Sequence, residues 1–179
     1  MQKIEIYIYK DITIKYNITN MEAIITANIT ANQQYSYDRE FYGLKLDEWV
    51  QNAHKFNCSL NGWEHYPLKM GAYGYDNLAV CIGYTLTHRE ISALPTPLND
   101  EHVDVLSKLI HEGWCANYIY WRDNEPYVNN NLYIKPFKRL DDSRRNMCAE
   151  LEYNDLEQEE KDKDIILAKF IIDEINRVM

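Results

Sequence analysis

The sequence predicts an α+β protein, in which an N-terminal β-containing region precedes a C-terminal region dominated by helices. Residues 4–9 alternate in period two and are rich in strand-forming side chains, as expected of a strand. Residues 103–120 and 154–178 instead place apolar side chains three and four positions apart, which is the period of an amphipathic helix. Because the chain contains both the strand period and the helical period, the sequence predicts the mixed α+β class.

The N-terminal region is predicted to begin with two strands, over residues 4–9 and 12–16. Residues 20–33 fit either a helix or a strand, and residues 34–43 are predicted to form a loop. A short helix is predicted over residues 44–55, because it places four apolar side chains on one face: Leu46, Trp49, Val50 and Ala53.

The middle of the chain is predicted to be less regular. Residues 57–76 hold three glycines and a proline and are expected to be irregular. The apolar run 78–84 is short enough for a buried strand, which is the interpretation we adopt. Two prolines within residues 92–98 predict a boundary or a surface strap, so we divide the chain into residues 1–90 and 91–179.

A long helix follows this boundary. Asn99 or Asp100 is predicted to cap it, and it runs to about Tyr120. Its apolar stripe consists of Val103, Leu106, Leu109, Ile110 and Trp114. Residues 123–131 are predicted to form a loop, and residues 132–134 are a candidate for a short strand.

The last helix is the most clearly patterned element. Asn154 and Glu157 have the spacing of a capping box, with asparagine in the usual Ser/Thr position. Tyr153 and Leu156 are expected to staple the start of this helix. Its helical period is carried by Leu167, Phe170, Ile171, Ile175 and Val178.

The composition favours a folded protein without nucleic-acid or membrane partners. Of 179 residues, 46% are hydrophobic, which can supply a core. The formal net charge is −9, so the chain repels nucleic-acid phosphates and anionic membrane surfaces alike. No apolar run approaches the ~18 residues of a membrane-spanning helix, and the N-terminus lacks the apolar stretch of a signal peptide. We expect a cytoplasmic protein, in the host cytoplasm if its source is viral.

The four cysteines are scattered and form no C-x-x-C pair. This pattern is typical of reduced, partly buried thiols, so we expect neither a metal site nor a cofactor. Cys115 does lie four residues after His111, but one His–Cys pair is too few ligands for zinc.

The most informative stretch is Ile110-His111-Glu112-Gly113-Trp114, which puts an imidazole, a carboxylate and an indole on about one turn of helix. Adjacent helical residues point about 100° apart, so His111 and Glu112 are not both expected to face a site. Trp121 lies seven positions after Trp114 on nearly the same face, so the two indoles could sandwich a base. We expect Trp121, at a helix end beside Arg122, to be partly exposed and the better candidate for stacking, whereas Trp114 taken alone is expected to be a core residue.

Three segments of the chain form a further pattern, with the residues Pro95, Pro97, Leu98, Asn99, His102 and Val103, then Ile110, His111, Glu112 and Trp114, then Tyr153, Leu156, Lys161 and Asp164. In this order and spacing they resemble the ryanodine-receptor repeat domain, or RyR domain, over about residues 94–178. Trp121-Arg122-Asp123 looks like a shortened version of a further family motif, and residues 124–145 form an insertion relative to the family.

The resemblance implies a small helical α+β module with short strands, often paired or homodimeric. Family members occur in calcium-release channels and in bacterial and phage proteins linked to nucleotide-based conflict, or antiviral defence. The implied role is to bind an adenine or ADP-ribose-type nucleotide, with tryptophans stacking on the base, and catalysis is not an established family property. Residues 46–49 and Gly62-Trp63 faintly echo the same motifs, so residues 1–90 could be a degenerate first copy.

The predicted ligand-binding residues combine stacking, hydrogen-bonding and cationic groups: His111, Glu112, Trp114, Trp121, Arg122 and Asp123. A basic island supplies candidate anion contacts at Lys138, Arg139, Arg144 and Arg145, although a solvated charged face is the commoner meaning of such a run. Lys161 and Asp164 are expected to form a surface pair. No residue is assigned a catalytic role.

We therefore expect non-enzymatic binding or sequestration of a small nucleotide-derived signal molecule, such as an adenine, ADP-ribose-type or cyclic nucleotide. In a chain without an effector domain, sequestration is the more natural role, and it would counteract nucleotide-based immune signalling. One alternative is an enzyme that degrades such a nucleotide, with His111 as acid/base and Glu112 or Asp123 as its partner. The other is a protein–protein interaction module.

Overall fold

The computed structural model describes residues 4–8, 12–16, 38–70, 72–123 and 143–179, with the backbone alone for the first two segments and for Asp123. These residues form a mostly helical structure with two short antiparallel strand pairs, which agrees with the predicted α+β class. The ambiguous residues 20–33 and the candidate strand 132–134 lie outside this description.

The predicted N-terminal strands are confirmed. Strand β1, Ile4–Ile8, pairs antiparallel with β2, Ile12–Tyr16, so that Ile4 lies opposite Tyr16. A second, smaller pair joins β3, Glu40–Phe41, to β4, Leu44–Lys45. Strand β3 lies where a loop was expected, and β4 occupies the first two residues of the predicted helix. Tyr42 and Gly43 connect them with φ angles of 53° and 79°, which is the left-handed geometry of a tight hairpin turn.

Helix α1, Leu46–Asn61, confirms the predicted helix and extends it by about one and a half turns. The Glu48 carboxylate accepts a hydrogen bond from the Lys45 backbone N–H (2.9 Å) at its start. Gly62 ends the helix at φ 65°, a left-handed C-cap that glycine adopts without steric cost. The predicted apolar face is buried, and the Trp49 indole donates to the Phe41 carbonyl (3.0 Å).

Helix α2, Tyr73–Thr87, contradicts the sequence-based expectation of a buried strand at 78–84. It is buried on most of its circumference because it packs between α1 and the long helix described next. A helix covered on most sides carries apolar residues nearly all round and loses the polar stripe that marks helical period. Among the described residues, the irregular segment is therefore confined to residues 62–70 and 72, between α1 and α2.

Helix α3, Arg89–Ser92, is one turn long, and a short 3₁₀ helix, Asp100–His102, leads into α4, Val103–Asp123. Asn99 caps this start as predicted, since its side-chain oxygen accepts from the Glu101 N–H (2.9 Å). The proline-containing segment before it, residues 92–98, is fixed to the last helix at Leu98. The Leu98 N–H donates to Asn176 Oδ1 (2.9 Å), and the Leu98 carbonyl accepts from Asn176 Nδ2 (2.7 Å).

Helix α5, Ser143–Glu150, was not predicted from the sequence. A 3₁₀ turn, Tyr153–Asp155, connects it to α6, Gln158–Val178. The predicted capping box is wrong, because Glu157 occupies the N-cap and no side chain bonds the first turn there. The apolar stripe of α6 is confirmed by the burial of Phe170, Ile171 and Ile175.

The main hydrophobic core draws on α1, α2, α4 and α6, and so on both sides of residue 90. Gly113 allows α2 and α4 to approach closely, since a Cβ there would lie 3.1 Å from the Cys81 Cα. Two smaller apolar clusters surround Trp114 where α4 meets α5 and the following turn. None of the described helices is both long enough and apolar enough to cross a bilayer.

Candidate functional site

Two adjoining cavities form a cleft beside α4. The polar cavity, of about 220 Å³, lies between α2, α4, α5 and α6 and is lined by Tyr73, Asn77, His111, Trp114, Arg144, Arg145, Cys148, Leu156, Glu160, Lys163 and Asp164. The apolar cavity, of about 620 Å³, lies between α1, α2, α4 and α6. Four residues line both: Asn77, Trp114, Lys163 and Asp164. The volume of the apolar cavity is in the range of small-molecule sites, and that of the polar cavity is below this range.

Trp114 stands where the two cavities meet. Its ring lies parallel to that of Tyr118 (centroids 5.2 Å apart, 2° between planes) and nearly parallel to that of His111 (6.0 Å, 14°). The three rings form an offset row along one face of α4, as expected of residues spaced three and four apart. The half-buried indole therefore lines the cleft while packed against its own helix neighbours.

The expectation that Trp121 is partly exposed is wrong. Only 2% of this residue is accessible, and its ring packs edge-on against Tyr73, with centroids 5.5 Å apart. Helix α5 covers it, because Ala149 belongs to the same apolar cluster. Since that helix was not foreseen, the end of α4 was expected to be open. No sandwich of a base between Trp114 and Trp121 forms here.

His111 faces the polar cavity from α4. Its Nε2 donates to the Leu151 carbonyl (3.0 Å), which leaves Nδ1 as the unprotonated nitrogen of the neutral ring. Nδ1 lies 3.7 Å from Oδ2 of Asp164. Burial lowers the pKa of His111 below its ordinary 6.5, although the bond to Leu151 opposes this. The imidazole is therefore neutral at pH 7.

Asp164, on α6, lines the same polar cavity as His111. Burial raises the pKa of its carboxyl to about 7, with a smaller contribution from the negative charge of Glu160. The predicted surface pair with Lys161 is wrong, because the Lys161 ammonium instead donates to the Asn154 carbonyl (2.7 Å). This raised pKa of the Asp164 carboxyl, beside an imidazole that burial keeps neutral, allows the pair to give or take one proton near neutral pH.

The polar cavity is lined by three cationic side chains. Arg144 and Arg145, two of the candidate anion contacts of the basic island, come from α5, and Lys163 comes from α6. Arg144 and Lys163 both bond Glu160, the latter at 2.7 Å. Burial acts to raise the pKa of Glu160, but these two bonds outweigh it and hold the pKa below its usual value. The other members of the island, Lys138 and Arg139, lie outside the described residues.

Glu112 and Arg122 are engaged outside the cleft. The Glu112 carboxylate accepts a hydrogen bond from the Tyr84 hydroxyl (2.7 Å), so it faces α2 while its neighbour His111 faces the cavity. Arg122 donates to the Asn146 side-chain oxygen (3.0 Å) and lies over the Tyr118 ring. Its role in the described structure is to tie α4 to α5. The side chain of Asp123 lies outside the described residues.

The apolar cavity contains residues that the sequence-based prediction omitted. Its walls are mostly aliphatic and aromatic: Phe56, Leu68, Leu78, Ile110, Ile166 and Leu167. Trp63, at its rim, is 62% exposed and is thus the indole most open to solvent. The Gly62-Trp63 echo of the family motif was the one sequence signal for it. Asn77 and Lys163 had no such local signal, whereas Asp164 belonged to the family-like pattern but was expected at the surface.

The cysteines give no sign of reactive or metal-binding chemistry. All four are buried, and no disulfide joins them. Cys115 Sγ lies 3.3 Å from His111 Nε2, but burial raises the pKa of this thiol far above its ordinary value. Among the described residues, no three His, Cys, Asp or Glu side chains are arranged to hold a metal ion.

Comparisons with models of protein families, with curated proteins and with solved structures give no match to this chain. The likeness to the RyR domain therefore stays a prediction from the sequence.

Proposed function

We propose that this protein binds a small nucleotide-derived anion in the cleft, and that it holds the molecule rather than converting it. The proposal is supported by one observation: a cavity lined by cationic side chains adjoins an apolar cavity, and the Trp114 indole lines both. Phosphate groups favour the first environment and nucleobases the second. The RyR-like sequence pattern independently favours the same ligand class.

The charge distribution supports a small anion over a polymer. The chain as a whole carries a net charge of −9, which repels long polyanions, whereas the polar cavity concentrates Arg144, Arg145 and Lys163. A protein of this kind accepts one anionic metabolite and discriminates against nucleic acid. Sequestration of a nucleotide signal, which would counteract nucleotide-based immune signalling, is the biological role we propose. Homodimer formation and a cytoplasmic location belong to the same proposal.

Calorimetry with ADP-ribose, cyclic ADP-ribose, ATP and cyclic dinucleotides tests the proposal. We expect saturable binding of at least one of them, weakened at least tenfold in Arg145→Ala. Arg89→Ala removes an exposed arginine remote from the cleft-lining residues and serves as the matched control. Absence of both heat and thermal stabilisation with every nucleotide would rule out the proposed function.

An enzyme that degrades the nucleotide is the second candidate, and the His111–Asp164 pair is the observation that favours it. Both groups face the polar cavity, and the pKa of Asp164, at about 7, suits proton transfer at neutral pH. The partner predicted from sequence, Glu112, is bound to Tyr84 instead. Chromatography of the nucleotide after incubation separates the candidates: unchanged recovery favours binding, and a new product peak favours catalysis.

A further inference from the structure

We infer that a nucleotide-derived anion enters the cleft together with one proton, which the facing side chains of Asp164 and His111 take up. This inference depends on the proposed function and adds its regulation, since the affinity for the anion then falls as the pH rises above neutral. Three features of the cleft support it: the position of Asp164, the two hydrogen-bond acceptors that face each other at the wall, and the chemistry of the surrounding side chains.

Asp164 lies where the two cavities meet. Together with Asn77, Trp114 and Lys163 it lines both of them, and only 13% of its side chain is exposed. An anion that spans the cleft therefore lies close to this carboxyl, and two negative charges repel each other more strongly at such a wall than in water. Among the described residues, no lysine or arginine forms an ion pair with Asp164, and the Lys163 ammonium bonds Glu160 instead (2.7 Å).

Two hydrogen-bond acceptors face each other at this wall. The Leu151 carbonyl can only accept, so it fixes the proton of the neutral imidazole on Nε2 of His111 and leaves Nδ1 without one. Nδ1 lies 3.7 Å from Oδ2 of Asp164, and an ionised carboxylate is likewise an acceptor. One additional proton allows one of these atoms to donate to the other, and it cancels the negative charge of the pair. The same event therefore satisfies both side chains and admits the anion.

Burial assigns this proton to the carboxyl. It raises the pKa of Asp164 to about 7, with a smaller contribution from the charge of Glu160, whereas it lowers the pKa of His111 below 6.5. Protonation of Asp164 removes one of two carboxylate charges at the described wall of the polar cavity. The other carboxylate, Glu160, stays ionised, because its bonds to Lys163 and Arg144 outweigh burial and hold its pKa below the usual value.

Other titratable or charged side chains surround the pair from each element packed against it. They are His54 on α1, Cys81 on α2, Glu112 and Cys115 on α4, Arg144, Arg145 and Cys148 on α5, Glu152 and Tyr153 after it, and Lys163 on α6. Burial raises the pKa of the Cys81 and Cys115 thiols and of the Tyr153 hydroxyl, so these groups stay neutral near pH 7. An Asp164→Asn variant retains all of these side chains, so their contributions largely cancel when it is compared with the wild type.

The experiment is calorimetry on the full chain at pH 6.5, 7.5 and 8.5 with ADP-ribose, cyclic ADP-ribose, ATP and cyclic dinucleotides. Between the lowest and the highest pH, the wild type should lose about tenfold in affinity relative to Asp164→Asn, because only the wild type must take up the proton. The asparagine amide is neutral at every pH and can donate to Nδ1 of His111. Division by the affinity of this variant removes the titration of the ligand's own groups. Asp173→Asn, at an exposed position of α6, should keep the pH dependence of the wild type.

Proton counting gives an independent readout on the wild type alone. Titrations at pH 8 in two buffers of different ionisation enthalpy should show uptake of roughly half a proton or more for each bound nucleotide. Uptake near zero, or an affinity ratio of wild type to Asp164→Asn that does not change with pH, would overturn the inference and leave the proposed function intact. Absence of binding by every nucleotide at all three pH values would remove the proposed function as well.

Discussion

Nδ1 of His111 and Oδ2 of Asp164 lie 3.7 Å apart at the wall of the polar cavity, although 53 residues separate them in the chain. The two side chains come from α4 and α6, which pack extensively against each other. Burial favours the neutral form of each, so it lowers the pKa of the imidazole and raises that of the carboxyl. Their protonation therefore links the stability of the fold to pH.

The first prediction concerns Asp164→Asn. The pKa of this carboxyl is about 7 in the folded protein against an ordinary 3.8, so between these pH values the folded state holds a proton that the unfolded chain has released. Stability from this group is present at low pH and is lost as pH rises to about 7. The asparagine variant cannot lose this proton, so at pH 8 it should be more stable than the wild type by about 1–4 kcal/mol.

Urea denaturation of both proteins at pH 4 and pH 8 measures this effect. The lowered pKa of His111 acts in the opposite direction below pH 6.5, but it is common to both proteins and largely cancels in their difference. Asp173→Asn, at an exposed position of α6, is the control. A stability difference that is the same at both pH values would contradict the buried position of Asp164.

The second prediction concerns Gly113→Ala. The added Cβ would lie 3.1 Å from the Cys81 Cα and 3.4 Å from the Val80 carbonyl oxygen, so α2 and α4 must move apart. Overpacking of this kind costs about 1–3 kcal/mol, which exceeds the gain of about 0.5–1 kcal/mol from replacing a helical glycine. We expect a net loss of stability by chemical denaturation.

Gly74→Ala is the matched control for this substitution. Among the described residues, its Cβ would meet only Leu68 Cδ2, at an ordinary contact distance of 3.9 Å. This variant should be as stable as the wild type or slightly more stable. Equal behaviour of the two alanine variants would show that the helices do not approach each other at Gly113.

The elements that were predicted correctly from the sequence are those specified by side chains only a few residues apart. The Asn99 cap, the stripes of α4 and α6, and the N-terminal strands all follow from side-chain spacing within a few residues. Four members of the predicted site, His111, Trp114, Arg144 and Arg145, line the same cavity. His111 and Trp114 both lie on α4, and their spacing of three positions places both side chains on one face of that helix.

The errors arise where packing between distant segments decides the outcome. Helix α2 is buried by its neighbours and therefore lacked a polar stripe, and Trp121 is covered by Ala149 from a helix without a clear pattern. Asp164 lies at the end of an acidic run that looks like solvated surface, yet α4 covers it. The neighbouring residues in the sequence do not predict the environment of α2, Trp121 or Asp164, because segments distant in the chain create it.

The third prediction distinguishes the two indoles of α4. Trp121→Phe should lower the free energy of unfolding by about 1–3 kcal/mol, because it removes part of a buried ring. Nucleotide affinity should change by less than twofold. Trp114→Ala should weaken nucleotide binding by about tenfold, since a base–aromatic contact contributes about 1–3 kcal/mol. Denaturation and calorimetry on the same preparations provide both quantities, and the reverse pattern would restore the sequence-based assignment of Trp121.

The fourth prediction concerns Arg122→Ala. Loss of its hydrogen bond to Asn146 and its position over Tyr118 should destabilise the fold by about 1–2 kcal/mol. Because Arg122 is not among the cleft-lining residues, nucleotide affinity should stay within twofold. An affinity loss as large as that of Arg145→Ala would show that this guanidinium contacts the ligand after all.

The most direct measurement is a nucleotide titration followed by the indole N–H resonances of the four tryptophans in ¹⁵N-labelled protein. Trp114 and Trp63 line the cleft, whereas Trp49 and Trp121 are buried away from it. We predict that a nucleotide that binds in calorimetry shifts the Trp114 and Trp63 signals saturably and leaves those of Trp49 and Trp121 in place. Saturable binding that leaves the Trp114 signal unmoved, or that moves Trp121 alone, would contradict the assignment of the cleft.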